Sequence, residues 1–410
     1  MQYGEYLHTL RVLFFDTMIQ VGIGFYDIGL VGEPFYYELP EELSATCGLG
    51  SCVQVELSGI ARRGVIVSFN RTNEELVLGQ VRTLIIHPFG SLLNKTQCNL
   101  ILWISWYYRS PFHKVLRLFI PEKIWLGTFS PVWEYLLKVP KEAPVIGARL
   151  KKQIELQEFL VTQAGEVLEE KVLGIFSKPV IKKAVEEGYL IREALRLIPP
   201  SLVKTESVSV EKQRKLTREQ QNILHQMTAD PQGQFLLFGI TGSGKTEIYV
   251  ELAKKMEQEG KQTCVLVPEI ALTTQLIHYF QRSFGEKLSV FHSKLAEGER
   301  LQQWCRVRAG ESTIILGSRS ALFAPFQSLG ALILDEEHEW TYKNESNPRY
   351  HTRSVAKKLQ ELAVEAGAPF TLVFGSGTPS IETMFATTRE GGSSCVKLEL
   401  KKKIYDQEAQ

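Results

Sequence analysis

The chain holds 410 residues, more than one hydrophobic core usually serves, so roughly two to four domains are expected. With 44% apolar and 23% charged residues it has the composition of a globular protein, which excludes a disordered or fibrous chain. The formal net charge is +1, so no overall charge points to nucleic acid, and a DNA-binding surface would have to come from local basic patches.

The N-terminal run Val12–Val31 is apolar but interrupted by Asp16 and Asp27, so it reads as buried strand rather than membrane span. No signal peptide is apparent, and a cytoplasmic location is expected. The six cysteines Cys47, Cys52, Cys98, Cys264, Cys305 and Cys395 form no C-x-x-C pair. They read as reduced thiols, with no zinc site expected in this chain.

Residues 35–69 read as short strands and turns. Phe35–Pro40 is aromatic and extended, Val53–Leu57 alternates with period two, and Gly64–Phe69 comes after a basic turn at Arg62 and Arg63. A small β domain over residues 1–105 is expected. Leu100–Tyr108 has the bulk of a buried helix, and prolines at 111, 121, 131 and 140 punctuate the next stretch of chain. Arg149–Gln163, Glu169–Phe176 and Ser177–Glu187 read as three helices, the last capped by Ser177. Three helices with a hairpin after them predict a winged helix within a helical region at 106–200. Residues 201–215 lack periodicity and read as a linker.

From Leu216 to about residue 400, short apolar runs alternate with helical patterns. The runs are Phe235–Phe238, Cys264–Val267, Leu288–Phe291, Thr313–Leu316, Ala331–Leu334 and Thr371–Phe374. That alternation predicts a parallel sheet with right-handed crossovers, and after it a short tail at 401–410.

Two motifs carry chemistry. Gly239-Ile240-Thr241-Gly242-Ser243-Gly244-Lys245-Thr246 matches G-x-x-x-x-G-K-[ST] between an apolar strand and a helical segment. Glycines let backbone N–H groups wrap around phosphates, and the helix N-terminus adds partial positive charge. Gly242, Ser243, Gly244, Lys245 and Thr246 are therefore the candidate ATP cradle. Lys245 would reach the outer phosphates and the Thr246 hydroxyl would ligate Mg²⁺. Asp335-Glu336-Glu337-His338 ends a buried strand. Asp335 is assigned to Mg²⁺ and Glu336 to orienting the attacking water, which makes Lys245, Asp335 and Glu336 the candidate catalytic set.

Further segments keep one order: Leu266–Leu276 (L-V-P-E-I-A-L-T-T-Q-L), His292-Ser293, Gly317–Phe326 (G-S-R-S-A-L-F-A-P-F) and Gly375–Ser380 (G-S-G-T-P-S). Together with Leu216-Thr217-Arg218-Glu219-Gln220, the P-loop, D-E-E-H, Glu339–Lys343 and Arg349–Arg353, this order closely resembles the PriA family of replication-restart helicases in superfamily 2. Phe35–Pro40 resembles that family's N-terminal DNA-binding domain, thought to recognise a 3′ end, and Arg149–Leu197 its winged helix. The resemblance implies a multi-domain α/β fold: a small β DNA-binding domain, a winged helix and one RecA-like P-loop NTPase lobe.

It also implies roles. Gln220 would read the adenine edge, and His338 and Thr378 would couple hydrolysis to movement. Arg319 lies in a DNA-contact motif. Trp340, Tyr342 and Tyr350 interleave with Lys343, Arg349 and Arg353 in an aromatic-rich loop that would stack on bases and hold phosphates. The implied function is ATP-driven 3′-to-5′ DNA unwinding at stalled forks, before the replicative helicase is reloaded. The implied partners are forked, single-stranded and 3′-ended DNA, single-stranded-DNA-binding protein and primosome proteins.

Val55–Arg63 lacks the family's Pro-Phe-Gly turn, so no residue is assigned to a 3′-end pocket. The family continues past the G-S-G-T-P-S motif into a zinc-binding insertion and a second lobe, so this chain is expected to be incomplete for unwinding. The competing readings are another superfamily 2 DNA translocase and a DNA-binding or assembly module that holds ATP structurally.

Overall fold

The computed structural model describes residues 18–72, 77–142, 144, 146–147, 149–163, 165–197, 216–292 and 295–401. The expected linker at 201–215, the tail beyond residue 401 and Ser293 lie outside the described residues.

The N-terminal part is an antiparallel sheet of β1 (Met18–Gly24), β2 (Phe35–Glu38), β3 (Cys52–Leu57), β4 (Ile60–Thr72) and β5 (Thr83–Ile85), ordered β2-β1-β4-β3-β5. The run Val65-Ile66-Val67 in β4 is buried on both sides. Ile66 joins Val21, Ile23, Val53 and Val55 in a local core. Val65 and Val67 face the other way, into the core that holds Leu100, Ile101 and Ile104. Those three belong to helix Lys95–Tyr107, whose start is fixed by a capping box between Asn94 and Gln97. The helix runs across the expected boundary at 105/106, and Trp106 and Tyr107 stay more than half exposed at its end.

The three helices expected downstream are present as Lys151–Thr162, Glu169–Leu173 and Lys178–Glu186. The hairpin expected after them is corrected. One strand, β8 (Ile191–Leu197), comes after the helices and pairs with β6 (Trp133–Lys138), which precedes them. A short β7 (Glu166–Leu168) completes the antiparallel order β7-β6-β8. Pro131 and Pro140 bracket β6, and a segment so bounded suits a short strand better than a helix.

The largest unit is a seven-stranded parallel sheet built from β9 (Gln234–Gly239), β10 (Gln262–Leu266), β11 (Leu288–Phe291), β12 (Ile314–Gly317), β13 (Leu329–Asp335), β14 (Thr371–Ser376) and β15 (Val396–Leu400). The order is β11-β12-β10-β13-β14-β9-β15. Six strands fall on the expected runs. The seventh, β15, has exposed lysine and glutamate alternating with buried leucines and gave no apolar run.

One face of this sheet is covered by helices Arg218–Ala229, Lys245–Gln258 and Thr274–Phe284. The other carries helices Glu297–Arg308 and Thr352–Glu365, whose core is continuous with the N-terminal helices. The join is specific. Trp304 Nε1 donates to the Phe119 carbonyl at 3.1 Å, and Gln302 makes a reciprocal pair with the Val132 backbone at 2.9 and 2.8 Å. Among the described residues no helix is long and apolar enough to cross a membrane.

Candidate active site

The sheet order explains the site. β14 lies between β9 and β13, so the loops leaving all three C-terminal ends meet at one place. The register pairs Asp335 with Gly375, and Gly375 in turn with Leu237. Gly242 (φ +81°) and Gly244 (φ +88°) take left-handed backbone conformations, which lets the loop wrap tightly before the helix starts at Lys245. A cleft of about 420 Å³ runs along this loop and is closed by Thr246, Asp335, Glu336 and Tyr279.

Lys245 is buried. Its Nζ donates to the Gly239 carbonyl at 2.7 Å and lies 3.4 Å from Glu336 Oε1. Glu336 itself has φ +46°, an uncommon backbone for a residue with a side chain, which turns the chain sharply beyond β13. Asp335 Oδ1 accepts a 2.8 Å hydrogen bond from the Tyr249 hydroxyl. Burial pushes the Asp335 carboxyl above its usual range, opposed by the Tyr249 hydrogen bond and by the Lys245 charge. The Tyr342 hydroxyl reaches the Asp335 carbonyl at 2.7 Å and the Leu266 carbonyl at 2.9 Å, tying the acidic turn to β10.

The residues present fit a magnesium–nucleotide. Thr246 and Asp335 place a hydroxyl and a carboxylate, hard oxygen donors, on one cleft, and the buried Ser243 Oγ has no hydrogen-bond partner among the described residues. Gln220 lies against the P-loop. It is buried, with Oε1 accepting from Thr217 N at 2.9 Å and Nε2 donating to the Gly244 carbonyl at 3.3 Å. Its amide braces the P-loop through the Gly244 carbonyl.

His338 and Thr378 are brought together. His338 Nδ1 lies 2.9 Å from Ser376 Oγ and Nε2 lies 3.2 Å from Thr378 Oγ1, while Ser376 Oγ also accepts from Thr378 N at 3.0 Å. The turn after β13 and the turn after β14 therefore share one hydrogen-bond network.

The aromatic-rich loop divides in two. Trp340 is 72% exposed, and Lys343 and Arg349 are exposed as well. A second cleft of about 380 Å³ is lined by Pro268, Arg319, Trp340, Lys343 and Asn344 among others. Arg319 braces that cleft by donating to the carbonyls of Thr341 and Lys343 at 2.8 and 3.0 Å. The other three residues are corrected. Tyr342 (1% exposed) and Tyr350 (3%) are core residues, although Tyr342 also lines the second cleft. Arg353 is paired at 2.5 Å with Glu337, whose side chain is fully buried.

Sequence reasoning missed Glu337 and Tyr249. Glu337 accepts from Ser380 N at 2.7 Å, Ser380 Oγ at 3.0 Å and Thr383 Oγ1 at 3.1 Å, so it anchors the turn after β14 to the acidic turn. Its only sequence signal was a third acid in a row. Tyr249 sits four residues after Lys245 on one helix, a spacing that puts both on the same face.

Residues 217–386 match the DEAD/DEAH box helicase family, and residues 26–121 match the PriA 3′DNA-binding domain (3′BD) family. The replication restart protein PriA of Chlamydia pneumoniae is 32% identical over 369 residues, covering 85% of this chain and 47% of that protein. PriA of Bacillus subtilis (strain 168) is 35% identical over 267 residues, covering 62% of this chain and 32% of that protein. The chain thus spans about half, or less, of the length of these relatives. Among solved structures, RecG bound to a three-way DNA junction aligns with a TM-score of 0.32 at 21% identity, covering 46% of this chain and 24% of that one.

Proposed function

We propose that this chain, which is similar to the replication restart proteins PriA and matches a 3′DNA-binding domain family and the DEAD/DEAH box helicase family, is the fork-recognising, ATP-binding portion of a 3′-to-5′ DNA helicase that starts replication restart. The observation that carries the proposal is the convergence of Lys245, Asp335, Glu336, His338 and Thr378 at the ends of β9, β13 and β14.

In this reading ATP lies along the P-loop. Backbone N–H groups of Gly242–Thr246 and the helix N-terminus hold its phosphates, and Lys245 leaves Gly239 to neutralise the outermost ones. Thr246 and Asp335 would hold Mg²⁺, which supplies neutralisation of charge developing on the phosphate oxygens. Glu336, freed from Lys245, orients the attacking water. His338 senses the change at its neighbour Glu336 and passes it through Ser376 and Thr378 to the turn after β14. Trp340, Lys343 and Arg319 line the DNA side and the exposed Arg349 adds a further cation, with the tryptophan stacking on bases and the cations facing phosphates. Single-stranded-DNA-binding protein and primosome proteins are the proposed protein partners, and the cytoplasm the proposed location.

The test is binding of MgATP and of forked DNA by the purified chain, and ATP hydrolysis with and without the fork, alongside Lys245→Ala. Expected are tight binding of the fork, MgATP binding lost in the variant, and any turnover rising with the fork. Turnover indifferent to DNA, or MgATP binding retained in Lys245→Ala, would overturn the proposal.

A further inference from the structure

Tyr249 has no part in the chemistry above, yet its placement is unusually specific. It is fully buried in the helix that opens with Lys245 and Thr246, and its hydroxyl crosses to β13 to donate to Asp335 Oδ1 at 2.8 Å. The path is kept clear by Gly375 on the intervening β14. A Cβ at Gly375 would stand 1.8 Å from the Tyr249 hydroxyl oxygen and 3.1 Å from Asp335 Oδ1. A glycine with an extended partner on each side has no turn to make here, so space is what this position needs.

A carboxylate at a strand end is free to swing about its last torsion, where the preference is broad. Holding one oxygen fixes the plane of the group. Because Lys245, Thr246 and Tyr249 ride on one helix, that helix sets both the phosphate cradle and the orientation of the acid across the cleft. We infer that Tyr249 is a positioning residue that orients the Asp335 carboxylate for magnesium bound with the nucleotide. This rests on the nucleotide-site reading proposed above and adds to it a determinant of metal affinity. A merely structural hydroxyl, satisfied by the nearest acceptor, would serve packing alone and leave metal dependence untouched.

The experiment reads binding, with no turnover involved. The affinity of the full chain for a fluorescent ADP analogue is measured with Mg²⁺ and with EDTA, in wild type, Tyr249→Phe, Asp335→Asn and the double variant. Magnesium should tighten ADP in wild type, and Asp335→Asn should abolish that gain. Tyr249→Phe should keep the metal-free affinity and lose about tenfold of the gain, the scale on which partners of a ligating group act. The double variant should be no worse than Asp335→Asn. A full magnesium gain in Tyr249→Phe, an equal loss with and without metal, or losses that add in the double variant would each overturn the inference. A second readout needs no loss of the hydroxyl. The ¹⁹F resonance of 3-fluorotyrosine at position 249 should move when Mg²⁺ is added to the ADP complex, and an unmoved line counts against the inference. If wild type binds no nucleotide, the site reading and this inference fall together. If wild type responds to magnesium and Tyr249→Phe responds identically, only the inference falls.

Discussion

Replacing Arg353 by methionine is expected to destabilise the parallel-sheet unit, with any loss of DNA binding arising from unfolding. Arg353 Nη1 lies 2.5 Å from Glu337 Oε2, with side-chain exposures of 13% and 0%. Removing one member of a buried ion pair strands the other charge and typically costs about 3–5 kcal/mol. Glu337 keeps three other donors, from Ser380 N, Ser380 Oγ and Thr383 Oγ1. The lower end, about 3 kcal/mol, is therefore expected for Arg353→Met. Adding Glu337→Gln removes the stranded charge while leaving the shape, so the double variant should recover part of the loss. Urea denaturation of the full chain, monitored by circular dichroism, measures the stability, and single-stranded-DNA affinity is read well below the transition. An Arg353→Met variant with an unchanged urea midpoint and weakened DNA affinity would refute the structural assignment and restore Arg353 as a direct DNA contact.

The same geometry sets other outcomes. Trp340→Ala should weaken single-stranded-DNA binding by about 1–3 kcal/mol, the usual worth of one base–aromatic stack, with the melting temperature unchanged because the ring is mostly in solvent. Tyr350→Ala should do the reverse, lowering the melting temperature, since its ring packs edge-on against Phe323 in the core; equal DNA-binding losses in the two variants at full stability would contradict the division of the loop. His351 caps helix Thr352–Glu365 by accepting from Arg353 N, and burial, aided by the Arg353 charge, depresses its basicity below the usual 6.5. The unfolded chain then binds the proton more readily than the native one. Stability is full above about pH 6.5 and falls as pH drops below it, toward the depressed native value. His351→Asn keeps a capping acceptor without titrating, so its urea midpoint should fall less between pH 7 and pH 5.5; an identical fall would remove His351 as a source of the acid sensitivity.

Local pattern accounts for much of what could be read from the sequence. The P-loop is legible because phosphate binding by backbone needs glycines at fixed spacing, and six strands of the parallel sheet are legible because strands buried on both faces are continuous apolar runs. The helix at Lys95–Tyr107 announced itself by the bulk of its apolar residues. β15 did not, because an edge strand half open to solvent has no apolar run, and β6 did not, because its pairing partners lie well downstream in the chain. The strand after the three helices was misread for that second reason: a hairpin is a local object, whereas β6 pairs with β8 across three helices.

The sequence by itself determined which residues could do phosphate chemistry and in what order the motifs run, because glycine spacing, a lysine after it and acids at a strand end are local requirements. It could not decide which aromatic and basic residues of the loop after Asp335 face solvent. Trp340, Tyr342, Tyr350 and Arg353 look alike as letters, and only packing against β10, Phe323 and Glu337 turns three of them inward and leaves one out. Nor could it show that Tyr249 meets Asp335, 86 positions away, since that contact exists only because β14 runs between β9 and β13 and carries a glycine at the crossing. Burial and long-range pairing are properties of the folded sheet, and no window of sequence contains them.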